Sequence, residues 1–163
     1  MNAGLPGTPQ VESRLLKTAA ALGDFTVPYY GITAGNELGD KLAAIAKIGT
    51  QVVDAVKDGR NLDKFDSIWE ELIDDLAEFL NELNPTQWPE VLIKEMFTNL
   101  VNTWTKAIIA RYNEEWNDNE EALDNLDKLV VSGIANHVNK GFSSIADIFS
   151  RGIIAQYPSL FVK

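Results

Sequence analysis

The stretch 89–116, PEVLIKEMFTNLVNTWTKAIIARYNEEW, decides the fold class of this chain. After Pro89 it has no glycine or proline, and it carries two of the four tryptophans. Projected at about 100° per residue, Ile93, Met96, Phe97, Leu100, Trp104, Ala107 and Ile108 fall on one face. That is the pattern of a helix burying one side. Beyond Ile108 the pattern changes. Arg111, Glu114 and Glu115 take the sector that carried the core, while Ile109, Tyr112 and Trp116 form a second stripe nearly opposite. Such a helix is central in its bundle or meets different neighbours at its two ends.

Working outward, a strongly amphipathic helix starts at Asp63 or Asp66 and ends near Leu83. Phe65, Trp69, Leu72, Ile73, Leu76, Phe79, Leu80 and Leu83 form its apolar stripe, and Asn84-Pro85 ends it. Its other face carries Glu70, Glu71, Asp74, Asp75, Glu78 and Glu82. Carboxylates at i,i+4 spacing suit a hard cation only where ligands converge from several elements, so no metal is expected. An earlier helix runs from an Asn36 cap to Asp58 and stops at Gly59. Gly35, Gly39, Ala43 and Ala46 set small residues along it at helical spacing. Asp40, Lys41, Lys47 and Asp54 interrupt that stripe, which favours close packing in a soluble bundle over a membrane dimer.

The first helix starts at Thr8-Pro9 and stops at Gly23, with Val11, Leu15, Ala19 and Leu22 on its apolar face. Between these helices lies 24–35, DFTVPYYGITAG. Pro28 disfavours a helical Val27, and Phe25, Tyr29, Tyr30 and Ile32 are too apolar for a bare linker. The expectation is an ordered aromatic loop. After the long helix, Asn117 to Asn119 mark a turn, and Asp118 with Glu121 has capping-box spacing. Leu123 to Gly152 keep one helical phase, as one helix kinked at Gly141 or two nearly collinear ones. Ser143 or Ser144 caps the second part. Pro158 ends it, with Leu160 and Phe161 folding back on the bundle. The fold expected is an all-α helical bundle of five to six helices with an ordered aromatic loop between the first two. Residues 1–10 form a lead and 11–163 a single domain.

A chain of 163 residues can bury one real core. The absence of cysteine excludes disulfides, thiolate zinc sites, iron–sulfur clusters and cysteine nucleophiles. No secretory signal and no apolar span of roughly 18 residues is visible, so a soluble, cytoplasmic protein is expected. Charge is unevenly spread. Residues 1–62 hold six basic and six acidic groups, residues 63–127 hold four and 17, and residues 128–163 hold four and one. The middle of the chain, at net −13, repels nucleic-acid phosphates and suits a basic partner.

His137 is the only histidine, so no His–His zinc pair exists. The di-iron Glu-x-x-His pattern fails because position 134 is isoleucine. Phosphate-binding glycine loops, nucleophile elbows, HExxH and EF-hand loops are all absent, and no cofactor is expected. The leading reading is a non-catalytic protein-interaction or assembly module that self-associates. Ile109, Tyr112, Trp116 and Trp88 are its candidate contact residues, since tryptophan is enriched in binding hot spots. The alternative is a small-ligand-binding bundle, or an enzyme without a familiar motif. Its pocket would be lined by Tyr29, Tyr30, Arg111 and His137. A third reading is a membrane-active protein working through the small-residue helix.

Overall fold

The structure is a computed structural model that describes residues 8–132, 134–135 and 142–162. It is the all-α helical bundle expected, built from α1 (Thr8–Lys57), α2 (Asp63–Leu83), α3 (Glu90–Tyr112), α4 (Trp116–Asp127) and α5 (Ile145–Gln156). A single π-helical turn, Lys128–Ser132, follows α4. A two-residue antiparallel pairing of Ile134–Ala135 with Phe142–Ser143 precedes α5.

The chain reverses inside α1. A straight helix would set Ala19 and Gly39 about 30 Å apart. Instead, a Cβ added to Gly39 would lie 3.5 Å from the Ala19 carbonyl oxygen and 3.5 Å from the Ala20 Cα. A Cβ on Gly23 would collide with the Gly35 carbonyl oxygen and lie 3.0 Å from the Gly39 nitrogen. The pivot is Gly31, at φ 86 and ψ 167, a region open essentially to glycine alone. Pro28, three residues earlier, lacks the N–H that would bond back into the helix. Two arms result, 8–30 and 32–57, with backbones in contact where side chains are missing.

This corrects the expected aromatic loop at 24–35. Residues 24–30 finish the first arm and 32–35 begin the second. Gly23 is not a stop and Asn36 is not a cap. Both glycine and proline signals are local, whereas Gly23, Gly35 and Gly39 serve a tertiary contact that overrides helix propensity. The helix begins at Thr8, where the Thr8-Pro9 signal places its start.

The other ends of α1 and α2 follow the sequence. The Gly59 N–H donates to the Val56 carbonyl at 3.1 Å and the Arg60 N–H to that of Ala55 at 2.9 Å, a Schellman closure. Asn61 Oδ1 accepts the Asp63 N–H at 2.7 Å where α2 begins. The stripe of α2 is buried at Phe65, Trp69, Ile73, Leu76, Phe79 and Leu80. It packs with Leu38, Ile45 and Val52 of the second arm and with Leu92, Ile93, Phe97 and Val101 of α3. Two carboxylates of the acidic face pair with lysines of neighbouring helices. Lys41 of α1 pairs with Asp75 at 2.6 Å and Lys94 of α3 with Asp74 at 3.0 Å. The Asp74 bond raises the Lys94 pKa.

Two tryptophans sit where only glycine leaves room. A Cβ on Gly49 would strike the Trp104 ring, and one on Gly152 would strike the Trp88 indole. Ser144 caps α5 through a reciprocal box. Its hydroxyl accepts the Asp147 N–H at 3.0 Å, and the Asp147 carboxylate accepts the Ser144 N–H at 3.2 Å. Sequence phase predicts one helix kinked at Gly141 or two nearly collinear ones; α4 and α5 are two helices, with the π-turn and the short strand pairing between them, and Gly141 lies outside the described residues.

Gly31→Ala should cost about 1–3 kcal/mol, the penalty of forcing a Cβ into this backbone region. Gly23→Leu should cost more, because it also parts the two arms. Urea denaturation followed by circular dichroism measures both. An unchanged midpoint in Gly31→Ala would show that the reversal does not depend on this residue.

Candidate functional site

The candidate residues that the structure describes lie at the two ends of α3. The first end is the connection 84–89 between α2 and α3. Asn84 is buried there, and its Nδ2 donates to the Gly152 carbonyl at 2.9 Å. The Asn84 carbonyl accepts the Trp88 N–H at 2.8 Å. Trp88 is 1 % exposed, and its Nε1 donates to the Ile148 carbonyl at 3.1 Å. Trp88 is therefore a core residue that seats α5, not the exposed contact residue the sequence suggested. The missing signal was Gly152, 64 positions away, which makes the indole's socket.

Tyr29 and Tyr30, from the end of the first arm, close over this connection. Tyr30 lies 5.6 Å from the Trp88 ring and 5.7 Å from Tyr157. Its hydroxyl donates to Gln156 Oε1 at 2.7 Å, and Gln156 Nε2 donates to the Leu83 carbonyl at 3.1 Å. Burial pushes the Tyr30 hydroxyl up to about 12; the hydrogen bond with Asn84 opposes that shift. Tyr29 stacks on Phe161 at 5.9 Å and lies 6.2 Å from Phe25. Phe161 thus returns to the bundle as its sequence suggests.

The second end of α3 is an elbow. The helix stops at Tyr112, where Glu114 takes φ 62. The Glu114 N–H donates to the Arg111 carbonyl at 3.4 Å and the Glu115 N–H to that of Ala110 at 2.9 Å. This is the Schellman closure with glutamate in the position glycine usually holds. The turn therefore falls at 113–115, ahead of the expected Asn117 to Asn119, and α4 begins at Trp116. Asn119 Nδ2 donates to the Ala107 carbonyl at 2.8 Å and holds the two helices together.

This elbow changes the reading of the rotated stripe. Ile109 and Trp116 stand on different helices, with Ile109 half-buried at the wall of an open cleft of about 400 Å³ between them. Tyr112 is 47 % exposed and its hydroxyl donates to the Lys57 carbonyl at 3.2 Å. Trp116 is 55 % exposed, with the Arg111 guanidinium 4.6 Å from its ring. Arg111 is exposed and stacked, so it does not occupy the core sector the projection gave it.

Arg111 lies about 33 Å along α3 from Trp88, and Tyr30 touches Trp88. The structure therefore does not bring Tyr29 and Tyr30 together with Arg111. His137 lies outside the described residues. Among the described residues every buried side-chain nitrogen or oxygen has a hydrogen-bond partner. No group of carboxylates or histidines there is arranged to hold a metal, and no helix is long and apolar enough to cross a membrane. No protein-family model, curated protein or solved structure matches the chain.

The Tyr30 shift has a sign. Its folded pKa lies above the ordinary 10.0, so the protonated hydroxyl is the form the fold favours. The stability this provides is fully present below pH 10 and is lost as pH rises toward about 12. Urea midpoints at pH 9 and pH 11 should differ more for the natural chain than for Tyr30→Phe. Equal differences would separate Tyr30 from alkaline unfolding.

Glu114→Gly should stabilise the chain by about 0.5–1 kcal/mol, because the left-handed conformation costs a residue with a Cβ roughly 1–2 kcal/mol and glycine's extra chain entropy offsets part of the gain. Thermal denaturation checks this; a lowered melting temperature would contradict it.

Proposed function

We propose that the chain is a non-catalytic, acidic protein-interaction module that self-associates. The observation that carries this reading is where open apolar surface collects. Val11, Leu22, Phe25 and Ile32 are exposed along and beyond the first arm, and Leu160, Phe161 and Val162 are exposed where the chain folds back toward Tyr29. Tyr112, Trp116 and Leu123 are exposed around the elbow. Scattered apolar residues are normal on a surface; residues gathered along one arm and around one turn are the mark of contact sites. The net charge of −10 keeps such a chain soluble and favours a basic partner where the contact is not with itself.

The ligand-pocket reading has less support, because its tyrosines and Arg111 stand at opposite ends of α3. Multi-angle light scattering from about 5 to 500 µM should show an average mass rising reversibly above the monomer's 18.0 kDa. A mass fixed at 18.0 kDa over that range would overturn self-association.

A further inference from the structure

The first arm of α1, residues 8–30, is held in place by little. Among its described residues Ala19, Gly23 and Thr26 are buried, none of them larger than threonine. No residue of this arm belongs to the buried core around α2, to which the second arm gives Leu38, Ile45, Val52 and Ala55. Only Tyr29 and Tyr30, beside the hinge, pack against that core. Val11, Leu22 and Phe25 are exposed. The reversal itself is not packed on either, since a Cβ added to Gly31 would meet nothing within 4 Å. An element with so few buried contacts opens at lower cost than the whole fold.

We infer that the first arm is an exchangeable element: it undocks as a unit about Gly31 and docks on the second arm of another copy, through the contacts it makes in its own chain. Exchange of an identical element is a low-cost route to dimers, because the closed and exchanged forms share every contact except the hinge. The hinge therefore decides between them. At φ 86 and ψ 167, glycine closes the arm without a steric penalty. The one-residue connection also keeps the chain's own second arm at high effective concentration. Gly31 thus holds the natural chain mainly closed. A side chain at this position penalises the closed form alone, and one exchanged dimer relieves two hinges. Taken twice, the hinge penalty of Gly31→Ala favours the exchanged dimer by about thirtyfold or more. Exchange requires undocking and is slow, which separates it from the reversible surface contact proposed above, on which it does not rest.

Refolding the full chain tests this. Gly31→Ala, refolded from urea at about 300 µM, should elute partly as a dimer that persists for hours after dilution to about 5 µM. The natural chain treated alike should give at least about tenfold less of it. The chain has no cysteine, so an introduced pair reports which arms touch. A Cβ at Gly39 makes an ordinary contact with Ala20, 3.5 Å from its Cα. Ala20→Cys with Gly39→Cys, added to Gly31→Ala, should close within one chain in the isolated monomer and between chains in the isolated dimer. Disulfides that close within single chains in both fractions would overturn arm exchange and leave the interaction reading standing. A Gly31→Ala chain that is monomeric at both concentrations would overturn it as well. Should Gly31→Ala not fold, the cysteine pair in the natural chain decides. Refolded reduced and then oxidised, it should give more interchain-linked dimer at about 300 µM than at about 5 µM, and equal yields would overturn the inference.

Discussion

Everything in this bundle depends on two helical arms touching through bare backbone. Gly23 against Gly35 and Gly39 lets the arms of α1 approach until a single Cβ would separate them. That closeness is what allows the reversal to occupy one residue, Gly31, rather than a loop. A reversal so tight carries Tyr29 and Tyr30 directly onto the α2–α3 connection. Were the arms held apart by side chains, the tyrosines would miss Trp88, and α5 would lose the wall against which Tyr157 and Gln156 settle.

The same large-against-absent logic recurs twice more. Trp104 meets Gly49, and Trp88 meets Gly152. Dense interiors leave little tolerance for an added methyl group, so each ring fixes the register of the helix facing it. Trp88 adds direction through its bond to the Ile148 carbonyl. Packing sets the distance between elements here, and one hydrogen bond sets their rotation.

Much of the helical content was legible in the sequence, for physical reasons that also explain what was not. The stripe of α2, the Gly59 closure and the Ser144 cap are local patterns, settled within a few turns of chain. Gly23 was read by the same local rules as a stop and came out wrong, because its partners Gly35 and Gly39 lie 12 or more residues away, whereas the small-residue spacing of Gly35 and Gly39 was legible as a close-packing signal. The end of α3 was misplaced for a related reason. Glu114 gives no signal of a left-handed residue, so the helix was projected past Tyr112, and Arg111 fell in the sector that had carried the core. Of the candidate site residues, Trp116 and Tyr112 are exposed, in keeping with the break in pattern that singled them out. Trp88 was not, since its burial depends on a glycine in the last helix.

The two ends of α3 differ in what they leave unsatisfied. At the Trp88 end, Asn84, Tyr30 and Gln156 spend their donors and acceptors on one another or on backbone groups nearby. A ligand entering there would have to break bonds already made in a partly desolvated place, which is expensive. At the elbow and along the first arm the balance is reversed. The polar bonds there, such as Tyr112 to the Lys57 carbonyl and Asn119 to that of Ala107, lie beside exposed apolar carbon, and covering that carbon removes apolar surface from water. That contrast is the physical ground for proposing a contact role rather than the capture of a polar small molecule.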